Sequence, residues 1–136
     1  IDAGADIITI HQESTTRLYS CIEKIKSRGV KAGVVLSPAT NEDTLKYVLD
    51  KIDMILLMTI NPGEAGPGFH EELLTKIKNV RELIGDRDID LEVDGGIDNT
   101  NIAKCKEAGV NVFVSGGYVF KGDIAEKIKT LREALK

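Results

Sequence analysis

The sequence predicts an α/β protein built on a parallel β-sheet. Two observations carry this. Five short apolar runs, rich in Ile and Val and with little polar alternation, recur along the 136 residues, as suits parallel strands covered on their faces. Between the runs, apolar residues fall three and four apart, the spacing of an amphipathic helix. Strand and helix in steady alternation give parallel neighbours joined by right-handed crossovers.

The elements follow in order. Asp6–Ile10 is the first strand, and Leu18, Ile22 and Ile25 mark the first helix. Arg28-Gly29 ends that helix, with Gly where a left-handed cap is wanted. Lys31–Leu36 is the second strand, after which Thr40 or Asn41 caps a second helix. Met54–Ile60 is the third strand, followed by a helix on Leu73, Ile77, Val80 and Ile84. Leu91–Val93 is the fourth strand. Asp98 or Asn99 then caps a helix that Ala108-Gly109 ends. Val112–Ser115 is the fifth strand, and Ile124, Ile128, Leu131 and Leu135 form the last helical stripe. No linker or low-complexity stretch interrupts the pattern, so residues 1–136 read as one domain.

Composition bounds the function. Lys plus Arg is 18 and Asp plus Glu is 22, a formal net charge of −4, which argues against a nucleic-acid partner. No apolar run approaches the ~20 residues of a membrane span. Residues 1–6 hold two Asp and no cation, so no secretory leader is expected. The chain is 42 % hydrophobic but only 4 % aromatic, without Trp, so its core is aliphatic. Cys21 and Cys105 share no metal or redox spacing; both are expected reduced, in a cytoplasmic protein.

In parallel sheets ligands bind beyond the carboxyl ends of the strands. Those ends read His11-Gln12-Glu13, Ser37-Pro38-Ala39-Thr40, Asn61-Pro62-Gly63-Glu64-Ala65-Gly66, Asp94-Gly95-Gly96 and Ser115-Gly116-Gly117. Three are glycine-rich. Glycine lets backbone N–H groups approach an anion, and a following helix N-terminus adds partial positive charge. Tight turns alone also call for glycine. Neither of the common glycine-rich nucleotide motifs is present. Asp94, at a strand end before two glycines, is placed to move a proton or bind a divalent cation, although an Asp before Gly also serves plain turns. Glu92 lies on the same strand face, one layer below. His11 ends the first strand and stands between a structural and a functional reading. Met58 suits ordinary core packing.

Taken together, these strand ends resemble the ribulose-phosphate 3-epimerase family and its allulose-6-phosphate epimerase relatives. The segments that carry the likeness are Ile8–Glu13, Lys31–Thr40, Ile55–Gly63, Leu91–Ile97 and Phe113–Phe120, with Asn61-Pro62-Gly63 and Glu92-Val93-Asp94-Gly95-Gly96 the most specific. The resemblance implies a partial (β/α)8 TIM barrel of the ribulose-phosphate-binding type, covering about strands 4–8. A full barrel needs about 200 residues or more. The three units not matched carry the family's other metal ligands and its first catalytic Asp.

By resemblance, the activity is epimerisation at C3 of a phosphorylated ketose, with two Asp residues moving protons through an enediolate. A divalent metal (Zn, Fe, Mn or Co) stabilises the oxyanion. Asp94 matches the seventh-strand Asp, both acid/base and metal ligand. Gly63, Glu64, Ala65, Gly66, Gly95, Gly96, Gly116 and Gly117 match the substrate and phosphate loops, and His11 and Met58 match residues lining the pocket. Glu64, Ala65 and Pro67 depart from the family's usual Phe, Gly and Gln, and Gly117 stands where Ser is usual. Glu64 is therefore expected to point away from the phosphate, or the ligand differs. The isolated chain is expected to be inactive and to form a homo-oligomer. The alternative is a non-catalytic half-barrel that binds a phosphosugar or pairs with itself, because five βα units leave both sheet edges open.

Overall fold

Five parallel strands pair in sequence order in the computed structural model, which describes residues 1–64 and 68–136. They are β1 (Ile7–His11), β2 (Lys31–Leu36), β3 (Met54–Met58), β4 (Asp90–Asp94) and β5 (Val112–Val114). The α-helices are α1 (Leu18–Ser27), α2 (Leu73–Ile84), α3 (Ile102–Ala108) and α4 (Ile124–Ala134). Each strand thus moves one place along the sheet, and right-handed crossovers in one direction put every helix on one face. That arrangement curls a sheet into part of a (β/α)8-type barrel, with helices outside.

Side chains sort accordingly. Ala32, Val34, Leu36, Ile55, Leu57, Leu91 and Val93 pack with Ile22, Ile77, Val80, Ile102 and Cys105 in one core. Burying each of the larger aliphatics contributes ~1.5–3 kcal/mol relative to exposure. Period-two alternation places Thr9, His11, Val35, Leu56, Met58, Glu92, Asp94 and Val114 on the opposite, inner face. Register carries His11 to Val35, Val35 to Leu56 and Leu56 to Glu92, while Met58 lies beside Asp94 and Asp94 beside Val114. β1 and β5 are the open edges of the sheet.

The second helix expected from sequence is instead a pair of 3-10 turns, Glu42–Leu45 and Leu49–Lys51. Leu45, Val48, Leu49 and Ile52 keep helical spacing and are buried. Asn41 does cap the first of these turns: its Oδ1 accepts the Asp43 N–H at 2.8 Å, and Thr44 Oγ1 donates to Asn41 O at 3.0 Å. Asp98 does not cap α3 with its side chain; its Oδ1 accepts the Thr100 N–H at 2.8 Å and closes a turn ahead of the helix. Gly29 (φ 73°) and Gly109 (φ 115°) do adopt the left-handed conformation expected after α1 and α3.

Candidate active site

β4 delivers Asp94 to the carboxyl end of the sheet, and the chain then turns through Gly95 and Gly96. Those two glycines are fixed by backbone packing. Gly95 has φ 127°, and a Cβ there would lie 2.6 Å from Ile60 Cγ1 and 2.8 Å from Ile60 N. Gly96 has φ 65°, and its Cβ would lie 2.8 Å from Phe69 N. The buried Thr59 locks the turn: its N–H donates to Asp94 O at 2.8 Å and its Oγ1 to Gly95 O at 2.5 Å. Buried Asn101 holds the other side, donating from Nδ2 to Gly96 O at 2.8 Å and accepting the Asp98 N–H at 3.0 Å.

Gly116 and Gly117 differ. Neither has a left-handed φ, and a Cβ at either would meet nothing within 4 Å. Protein packing does not require glycine there, so these positions leave room for something outside the chain to approach the backbone.

A cleft of about 560 Å³ opens between the two glycine pairs. Asp94, Gly95, Gly96, Gly116, Gly117 and Glu64 line it. So do Tyr118 and Lys121, which the strand-end reading did not select. The signal for Lys121 was available: it is a cation four residues past a glycine-rich turn. Glu64 does not turn away from the cleft; its Oε1 accepts from Asn61 Nδ2 at 3.2 Å. Ala65 and Gly66 lie outside the described residues. Gly63 makes the left-handed corner before Glu64 (φ 82°) and does not line the cleft.

Burial raises the Asp94 carboxyl above its ordinary range. It raises Glu92 too, with the charges of Asp94 and Asp90 adding to the effect. A carboxyl whose folded pKa is raised binds protons more tightly folded than unfolded, so its contribution to stability falls as pH rises through the folded value. Glu92→Gln should therefore stabilise the chain at pH 7 and lose that advantage near pH 4, as urea unfolding at the two pH values will show.

His11 and Met58 lie on the inner face but do not line the cleft. Met58 sits next to Asp94 in register. His11 is on β1, three strands away, and is tied to Glu13, with its Nδ1 3.1 Å from Oε2. Glu13 also accepts the Ser37 N–H at 2.8 Å and the Thr40 hydroxyl. Lys76, buried in the apolar stripe of α2, donates to Ser37 O at 2.9 Å, Pro38 O at 3.0 Å and Thr40 O at 2.5 Å. Burial lowers the Lys76 ammonium from its usual range, against the pull of Glu42 and Glu13. Lys76→Met removes three charge-assisted bonds at once and should cost about 2 kcal/mol in urea unfolding. Periodicity hides Lys76, because it occupies a core-facing position of its helix.

A divalent metal does not fit these residues alone. Glu64, Asp94 and Asp98 all line the cleft, but no three His, Cys, Asp or Glu side chains converge among the described residues. Cys105 lies in the core, and burial pushes its thiol up to about 11. Among the described residues no helix is long and apolar enough to cross a membrane.

Comparison with known proteins adds a family to this geometry. The model of the ribulose-phosphate 3 epimerase family matches residues 1–120. The chloroplastic ribulose-5-phosphate-3-epimerase of Arabidopsis thaliana is 43 % identical over 137 residues, covering 97 % of this chain and 49 % of the relative. The ribulose-phosphate 3-epimerase of Serratia marcescens is 48 % identical over 120 residues, covering 87 % and 57 %. That of Escherichia coli K12 is 43 % identical over 136 residues, covering 98 % and 60 %. The chain thus spans about half to three fifths of the length of these relatives. Among solved structures, a 3-hexulose-6-phosphate synthase superposes with TM-score 0.75 at 25 % identity, covering 99 % of this chain and 64 % of that one. A 3-keto-L-gulonate-6-phosphate decarboxylase from Vibrio cholerae superposes with TM-score 0.76, covering 98 % and 62 %; at 20 % identity it bears on the fold alone.

Proposed function

The chain belongs to the ribulose-phosphate 3-epimerase family, and on that premise we propose that it forms the Asp94-bearing part of an enzyme that inverts C3 of a ketose phosphate. Ribulose 5-phosphate with xylulose 5-phosphate, or a related pentulose or hexulose phosphate, is the substrate pair. The observation that carries this reading is Asp94, its carboxyl raised by burial, in a cleft whose far wall is an unobstructed glycine pair. The proton on C3 is acidic because it lies next to the C2 carbonyl. Asp94 exchanges a proton with C3 on one side of the enediolate, and a raised pKa brings it closer to the working pH of an acid/base group. The Gly116 and Gly117 N–H groups and the Lys121 ammonium receive the phosphate. Glu64 opposes an anion at the same cleft, which favours a ligand that keeps its phosphate beside β5 and away from the Glu64 loop.

The divalent metal of the family would take one ligand from this chain, Asp94, and the rest from outside it. Activity is accordingly assigned to a longer form that also carries the N-terminal βα units of the relatives, and the chain alone is inactive. A cytoplasmic location suits its two free cysteines. Ribulose 5-phosphate titrated into the labelled chain should shift the amide resonances of Gly95, Gly96, Gly116 and Gly117 together. Shifts confined to other residues, or none, contradict the assignment of this cleft.

The two open sheet edges support a second reading, a non-catalytic half-barrel that pairs with itself. Ile7 on edge strand β1, and Phe120 and Ile124 beyond edge strand β5, are exposed. Under either reading, light scattering on the isolated chain should find a homo-oligomer. A monodisperse monomer with cooperative unfolding contradicts that expectation.

A further inference from the structure

We propose that Glu13 is a positioning residue that holds His11 as the Nδ1–H imidazole, leaving Nε2 as an open acceptor for a ligand hydroxyl at the strand ends. The ligand half of this statement rests on the phosphosugar reading above; the tautomer half does not.

The geometry builds up from the chain. His11 is the last residue of β1, and strand alternation puts it on the inner face, in register with Val35. A 3-10 turn over Gln12–Ser14 follows, and Ser14 Oγ donates to His11 O at 2.7 Å. This turn brings Glu13 back beside the imidazole. Oε2 lies 3.1 Å from Nδ1, and Oε1 accepts the Ser37 N–H at 2.8 Å and the Thr40 hydroxyl. The loop that grips Oε1 is itself gripped by the three Lys76 bonds. Glu13 is therefore anchored across two strand ends and has little freedom to release the ring.

The chemistry then fixes the proton. Partial burial works against the Glu13 charge, but the bonds from Thr40, Ser37, its own N–H and His11 outweigh it and bring the carboxyl down to about 2. At any working pH it is a carboxylate, which only accepts hydrogen bonds. The ring nitrogen facing it must be the donor, so in neutral His11 the lone pair is on Nε2. The His11 side chain is 34 % exposed, and Nε2 makes no hydrogen bond among the described residues. A polyol phosphate lying across the strand ends has hydroxyl groups that donate to such an acceptor.

Long-range proton–nitrogen correlation on the 15N-labelled chain, at a pH where the imidazole is neutral, reads the tautomer directly. His70 is the other histidine and serves as an internal reference. The proposal expects the His11 Nδ1 to carry the proton in the wild type. It also expects Glu13→Gln, whose amide can donate, to move that proton to Nε2 while amide dispersion persists. A wild-type Nε2–H tautomer overturns the proposal whether or not the variant folds. On addition of ribulose 5-phosphate, the His11 Nε2 resonance should move with the Gly116 and Gly117 amides. Glu13→Gln should weaken binding roughly five- to tenfold, the order of one hydrogen bond. Glycine shifts with a silent His11 overturn the ligand role and leave the phosphosugar reading standing. No shift at either place overturns both.

Discussion

Asp94→Asn should lower kcat/KM for ribulose 5-phosphate by about 10²–10⁴ in a form that carries the N-terminal units of the relatives, the range of a lost general acid/base. Asparagine keeps the size and hydrogen-bonding reach of the side chain but takes up no proton from carbon. Stability separates this result from unfolding. Burial raises the Asp94 carboxyl, so above that raised value the ionised aspartate is a liability that asparagine lacks. The variant should be at least as stable as the parent at pH 7, and increasingly so as pH rises through the folded pKa. Retained turnover in a folded variant contradicts the role given to Asp94. Lost turnover with lost stability leaves no support for proton transfer.

Gly96→Ala and Gly95→Ala should each destabilise the chain by about 2–5 kcal/mol. A left-handed backbone costs a non-glycine residue roughly 1–2 kcal/mol, and forcing a methyl group into packed surroundings adds about 1–3 kcal/mol. Both terms apply, since φ is 127° at Gly95 and 65° at Gly96 and each Cβ would meet backbone nitrogen at 2.8 Å. Backbone cannot give way as the tip of a flexible side chain can. Against a typical stability of 5–15 kcal/mol, either change is a large fraction of the whole. Gly117→Ala is the contrast. Its Cβ enters open space, so stability should stay within about 0.5 kcal/mol while phosphosugar binding weakens. Urea unfolding of the three variants checks this. Equal stability of all three contradicts the distinction between structural and ligand-facing glycines.

The fold was legible where burial writes a simple period. All five strands are recovered with ends within two residues of those expected, and Lys31–Leu36 with no shift, because such runs are apolar on both faces. Glycines 29 and 109 end helices for the reason the sequence offers, a positive φ. The segment after β2 was not legible. Its apolar spacing and its Asn41 cap are those of an α-helix, yet the segment forms two short 3-10 turns, a difference that neither spacing nor capping encodes.

The site divides the same way. Asp94 and its glycines stand out, since chain direction alone brings them to the ligand end of the sheet. That Gly95 and Gly96 answer to Ile60 and Phe69, while Gly116 and Gly117 answer to nothing in the chain, depends on contacts between distant segments. Lys76 and Glu13 share that origin: each works by bonds to residues more than twenty positions away.

Solvent exchange at C3 tests the central claim most directly. Ribulose 5-phosphate is incubated in D2O with the longer form and both pentulose phosphates are recovered. Proton transfer through Asp94 predicts deuterium at C3 of the epimerised product, and its loss in Asp94→Asn. Epimerisation without deuterium at C3, or undiminished formation of the deuterated epimer by the Asp94→Asn protein, would contradict it.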